Sequence, residues 1–267
     1  MGKQKRGVDL TVAVPLPPTN PAAPLPLPAP WSSEGILFSD LERVRLIGSG
    51  VSGKVWMVRH KISNKLYALK CILGSWDEDT HRQHCSEIEI LRTANSPFIV
   101  RCHGFNDNAA GDIELLLEFM DGGSLEGHPI AVEPLLAEVA RQVLSALAYL
   151  HSRKIVHRDI KPANILIDNH GLFKIADFGL SCMVSPTTMG CKTLCGTISY
   201  LGPECFNNSG FYGGFASDTW SFGITLLECY LGYYPFGESV KKNGLMMLAI
   251  CKKEPPKPPE TSIFQFP

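Results

Sequence analysis

The segments IVHRDIKPANILI, residues 155–167, and FKIADFGL, residues 173–180, decide how this chain is read. Both carry apolar runs of strand length. Between and after those runs the first sets Asp159, Lys161 and Asn164 within six positions, and the second sets Asp177 thirteen positions after Asn164. Taken singly, each of these residues has an ordinary structural explanation as a hydrogen-bonded loop residue. Their order becomes informative only with what precedes them.

From Leu41 to Lys70 apolar and polar residues alternate, in VRLIGSGVSGKVWMVRH and then KLYALKCI, with glycine clusters and Ser63-Asn64 between the runs. That pattern predicts an antiparallel meander. Inside it, Ile47, Gly48, Ser49, Gly50, Val51, Ser52, Gly53, Lys54 and Val55 contain the pattern GxGxxGxV. Glycines at these positions let a backbone turn tightly and approach phosphate oxygens. A dinucleotide-binding loop would need the same glycines to open a helix within a βαβ unit, which the strand-turn-strand context opposes. Next comes Lys70 on a strand, in YALK, and then Glu87 in SEIEILRTA, where apolar residues recur at helical spacing. By itself Glu87 reads as an exposed helix glutamate; beside a buried lysine it is a partner. ELLLEFMDGGSLEG reads as a strand entering a glycine-rich bend, and EPLLAEVARQVLSALAYLHSRK as a longer helix with its leucines and alanines on one face.

Moving a phosphoryl group requires a carboxylate to orient a hydroxyl, cations to offset charge and oxygen ligands for magnesium. The glycine loop, the strand lysine, HRDxKxxN and DFG supply all three in one fixed order. From about Leu41 onward the chain resembles the eukaryotic protein kinases. The resemblance implies an α+β, two-lobed fold, with a β-rich N-lobe over residues 41–119 and a mainly helical C-lobe over 120–267. It implies ATP and Mg2+ as cofactors: Gly48, Gly50 and Gly53 over the phosphates, Lys70 on the α and β phosphates and paired to Glu87, and Asn164 and Asp177 on the metal. Asp159 becomes the base that receives the substrate hydroxyl and Lys161 the cation that steadies the transferring group. Val55, Ala68 and Leu166 would enclose the adenine, Glu118 and Met120 would bond its edge through their backbone, and Leu117 would guard the back of the pocket. Lys161 matches the serine/threonine type of catalytic loop.

EFMDGGSLE, KIVHRDIKPANILI, KIADFGLS, GTISYLGPE and SDTWSFGITLLE together resemble the MAP kinase kinases, particularly those of plants. This implies a dual-specificity enzyme that phosphorylates a MAP kinase and is activated by an upstream MAP kinase kinase kinase. A general serine/threonine kinase and a noncatalytic kinase-like scaffold are the alternatives. SPTTMGCKT, residues 185–193, lies between Asp177 and Glu204, in the segment that phosphate pairing with arginine orders in such switches. Thr187 and Thr193 have the plant spacing of activating phosphosites; at the shorter animal spacing the first site would be Met189. Arg158 is the expected phosphate partner. At the N-terminus, Lys3, Lys5 and Arg6 precede Leu10 and Val12, which resembles the docking peptide that MAP kinase kinases offer a MAP kinase: basic residues for an acidic patch, apolar residues for a groove. A nuclear-import patch and a solvated tail are the plainer readings of the same residues.

Composition sets outer bounds. The 267 residues carry a formal net charge of -1, so bulk charge does not point to nucleic acid. Nine cysteines without a CxxC pair predict reduced thiols and a cytoplasmic or nuclear location. No apolar run reaches bilayer length, so no membrane association is expected. The expected state is a monomer. Eight prolines in residues 15–30 predict a disordered or semi-rigid spacer, and residues 1–40 together read as a disordered tail ahead of the domain. Kinases of this type supply an arginine, late in the C-lobe, to the glutamate that closes the activation segment, here Glu204; no arginine follows Arg158. A C-lobe lacking its last helices, with weak intrinsic stability or activity, is the resulting expectation.

Overall fold

The computed structural model describes residues 27–50, 53–74, 78–107, 112–184, 195–206, 213–237 and 245–258. The alternating residues form the expected meander: β2 (Leu41–Gly50), β3 (Gly53–His60) and β4 (Leu66–Ile72) pair antiparallel, with Val55 opposite Lys70. With β1 (Trp31–Ser32), β5 (Cys102–Asp107) and β6 (Ile113–Glu118) they make a six-stranded sheet in the order β1-β5-β6-β4-β3-β2. Period-two alternation gives this sheet two apolar faces. Val58, Tyr67, Leu69 and Leu116 pack with Ile36 on one side. On the other, Ile72, Phe105, Ile113 and Leu115 share a core with Ile88, Ile90 and Leu91 of α1 (Glu78–Thr93).

The expectation of a disordered stretch up to residue 40 needs correction for residues 27–40. Trp31 and Ser32 pair with Phe105 and Gly104 at the free edge of β5, two short 3-10 turns follow, and Ile36 is only 5% exposed. The reason is non-local: an unpaired sheet edge accepts a strand wherever the chain can deliver one. The proline-rich residues before 27 and the candidate docking residues Lys3, Lys5, Arg6, Leu10 and Val12 lie outside the described residues.

The second lobe is built on α2 (Glu133–Ser152), which has a proline in its first turn, where no amide hydrogen is missed. Leu136, Val139, Val143, Ala146, Leu147 and Leu150 fall at helical spacing and are buried. This face holds β7 (Ile155–Val156) and the hairpin of β8 (Ile165–Ile167) and β9 (Phe173–Ile175); Phe173 N donates to Oε1 of the buried Gln142 at 2.7 Å. Strand β10 (Cys182–Met183) pairs antiparallel with β7. Helix α3 (Gly214–Leu231) ends on Gly232, whose φ of 75° closes the helix in the left-handed conformation. Tyr200, Ile224, Tyr234 and Phe236 form a second core with Met246 and Ile250 of α4 (Met246–Lys252). Among the described residues no helix is long and apolar enough to cross a membrane. The two-lobed α+β arrangement is as expected.

Candidate active site

Between the lobes lies a cavity of about 900 Å³ lined by Ile47, Gly48, Ser49, Gly50, Gly53, Val55, Ala68, Lys70 and Glu87 from above. Leu117, Glu118 and Met120 line its back, and Asp159, Lys161, Asn164, Leu166 and Asp177 its floor. Almost every residue assigned to nucleotide and metal from the sequence is thus brought together on one cavity; Val51 and Ser52 lie outside the described residues. The three loop glycines are not equivalent. Gly53 has φ +113°, and a Cβ there would lie 2.2 Å from the Cys71 carbonyl oxygen, so the protein's own backbone demands glycine. A Cβ on Gly50 would meet nothing within 4 Å among the described residues, and Gly50 lines the cavity.

The charged centre is close-packed at the edge of the cavity. Lys70 Nζ lies 2.6 Å from Glu87 Oε1 and 2.7 Å from Asp177 Oδ1, with Lys70 5% and Glu87 2% exposed. Glu87 is therefore the buried partner and not the exposed helix glutamate. Burial works against the Lys70 ammonium, but the two carboxylates outweigh it and hold its pKa above the ordinary lysine value. Burial likewise opposes the Asp177 carboxylate, and the attraction of Lys70 outweighs it, leaving Asp177 below its usual value. Asp177 has φ 60°, in a region that non-glycine residues seldom occupy. Backbone held this way costs on the order of 1–3 kcal/mol and persists where surroundings over-determine it.

Asp159 is 6% exposed and its carboxylate is fully engaged. Oδ2 accepts from Lys161 Nζ at 2.7 Å and from Asn164 Nδ2 at 2.9 Å. Oδ1 accepts from the backbone N and the Oγ1 of Thr197, at 3.0 and 2.7 Å, and Lys161 Nζ also donates to Thr197 Oγ1 at 2.8 Å. The loop below is carried by Asp218, which is 0% exposed: its Oδ2 accepts from His157 N and its Oδ1 from Arg158 N, at 2.9 and 2.8 Å. Arg158 sits at φ 67°, and its Nε donates to Leu180 O at 2.5 Å. Sequence reasoning missed Thr197, His157 and the anchoring role of Asp218. The first is visible only as the threonine of GTISY, and the others as the ends of two motifs some 60 positions apart.

Over residues 41–263 the chain matches the protein kinase domain family. It is 39% identical to mitogen-activated protein kinase kinase 7 of Arabidopsis thaliana over 99% of this chain and 89% of that protein. It is 41% identical to mitogen-activated protein kinase kinase 9 of the same plant, over 87% and 77%. Similarity extends to dual specificity mitogen-activated protein kinase kinase 1 of Dictyostelium discoideum, 38% identical over 76% of this chain and 31% of that protein. The chain is a protein kinase of the mitogen-activated protein kinase kinase family.

The kinase's cleft fits the ATP and divalent metal that its family uses. Gly48, Gly50 and Gly53 line the cavity where phosphates could approach the backbone, a charged Lys70 lines it too, and the carboxylate and amide of Asp177 and Asn164 are the hard oxygen ligands that magnesium takes. Glu204 Oε1 is buried with no hydrogen-bond partner among the described residues. Thr187 and Thr193 lie outside the described residues.

Proposed function

We propose that this kinase transfers the γ-phosphoryl group of ATP to a threonine and a tyrosine in the activation loop of a MAP kinase, after its own activation at Thr187 and Thr193 by an upstream MAP kinase kinase kinase. The observation that carries the reading is the meeting of Lys70, Asp159, Lys161, Asn164 and Asp177 on one cavity. Asp159 orients the substrate hydroxyl and accepts its proton as the new bond forms. Lys161, held between Asp159 and Thr197, offsets charge on the transferring group. Lys70, fixed by Glu87, holds the nucleotide phosphates. Asn164 and Asp177 would hold magnesium, which would supply charge neutralisation to the reaction. Val55, Ala68 and Leu166 enclose the adenine, with Leu117 behind it and the backbone of Glu118 and Met120 at its edge.

Dual specificity is supported by the similarity to the dual specificity mitogen-activated protein kinase kinase 1 of Dictyostelium discoideum. Lys3, Lys5, Arg6, Leu10 and Val12 act as the docking peptide, the charges steering the encounter and the apolar residues setting register. The cysteine pattern supports a cytoplasmic or nuclear enzyme, here taken as a monomer. Phosphopeptide mapping of a catalytically dead MAP kinase after incubation with this kinase and ATP tests the reading. Phosphate is expected on the activation-loop threonine and tyrosine, and Lys5→Glu with Arg6→Glu and Leu10→Ala lowers that signal while sparing a generic protein substrate. Phosphate confined to other residues of the MAP kinase would contradict it.

A further inference from the structure

Lys174 lies three residues before Asp177 and has no part in the chemistry above. Its Nζ donates to both Oε1 and Oε2 of Glu118, each at 2.7 Å, and the side chains of this pair are 11% and 22% exposed. Glu118 ends β6, where the sheet of the first lobe passes into the second; Lys174 sits at the middle of β9, in the second lobe. The pair therefore crosses the pivot between the lobes.

Backbone bonds gather around it. Glu118 N donates to Arg101 O at 2.9 Å, and Arg101 N donates back to Glu118 Oε1 at 2.6 Å. Val100 N donates to Ile175 O and Ile175 N to Phe98 O, both at 2.9 Å. One carboxylate thus joins the end of β6, residues 98–101 and β9 in a single joint. From β9 the chain runs through Ala176, whose N donates to Asn164 O at 2.9 Å, directly into Asp177.

We infer that Lys174 is a positioning residue: its ion pair with Glu118 latches the lobes at the angle in which Lys70 meets both Glu87 and Asp177. A mostly buried pair with both carboxylate oxygens engaged is screened far less than a surface pair and holds one geometry. When it is broken, other lobe angles gain population, and apparent nucleotide affinity falls by the fraction of molecules no longer aligned. The inference rests on the nucleotide site proposed above and assigns to Glu118 a side-chain role distinct from its backbone contact with adenine.

Three variants test it: Lys174→Met, which keeps the stem and removes the charge; Lys174→Arg, which keeps the pair; and the reversed pair Lys174→Glu with Glu118→Lys. Titration with a fluorescent ATP analogue should show Lys174→Met binding about threefold to tenfold more weakly, with KM for ATP raised alike and kcat within about twofold. Lys174→Arg should stay near wild type, and the reversed pair should recover much of the loss. Hydrogen exchange at the amides of Val100, Arg101, Glu118 and Ile175 should quicken in Lys174→Met. Unchanged affinity and exchange in Lys174→Met, a reversed pair no better than that variant, or a raised kcat would overturn the latch. If the wild-type chain itself binds no analogue, the nucleotide reading falls, and exchange at those four amides decides the latch alone: faster supports it, unchanged overturns it.

Discussion

Asp159 acts through a carboxylate whose two oxygens are both committed, and Thr197 holds one of them twice, through its amide and its hydroxyl. The hydroxyl also accepts from Lys161, so one small side chain sets the relative placement of base and cation. A hydrogen bond to a charged group contributes about 1.5–3 kcal/mol, so Thr197→Ala should lower kcat by roughly tenfold to a hundredfold. Thr197→Ser should keep most activity; steady-state kinetics on a protein substrate decide, and an undiminished Thr197→Ala would refute this role. His157 makes a different prediction. It is 0% exposed, its Nε2 faces Ala176 O at 3.1 Å, and its Nδ1 faces the amide of Asp159 at 3.3 Å, an arrangement served by one ring proton on Nε2. Burial lowers its pKa, against the raising effect of Asp218 and its neighbours. Below about pH 6.5 the unfolded chain takes up a proton at this site that the folded chain refuses. Stability therefore falls as pH is lowered through that value, and His157→Phe should flatten the slope of Tm between pH 7 and pH 5. An identical slope in the variant would remove His157 from the explanation.

At the scale of elements, strong periodicity was readable and long-range pairing was not. The meander and α2 declare themselves because each repeats its apolar residues at the spacing of the element they form. Glu87 is harder: its place on α1 is legible, yet its burial depends on β4 delivering Lys70 from 17 positions away. Residues 27–40 are harder still, since Trp31 and Ser32 take strand form only because β5 presents an open edge more than 70 positions later. Once there, Trp31 and Leu27 pack against the main core, while Ile36 and Phe38 join the outer face of the sheet. Burying two or three such side chains contributes on the order of 3–6 kcal/mol. A chain starting at residue 41 should therefore unfold at distinctly lower denaturant than one starting at residue 27. Coincident urea transitions would show that the domain begins at residue 41 after all.

At the scale of the whole molecule, the motifs that carry the family resemblance are residues that meet between the lobes, which is why most of them line one cavity. What sequence could not supply were the holders: Thr197, Asp218 and the Lys174 to Glu118 pair do no chemistry themselves, and lysines, aspartates and threonines of their kind occur throughout the chain. The central claim is that this assembly transfers phosphate and that Asp159 is its base. It is tested most directly by incubating a catalytically dead MAP kinase with radiolabelled ATP, Mg2+ and either the wild-type chain or Asp159→Asn. General-base catalysis contributes about 10²–10⁴-fold, so label should enter with wild type and fall at least about a hundredfold with the variant. Equal labelling by the two, or none by either, would contradict the claim.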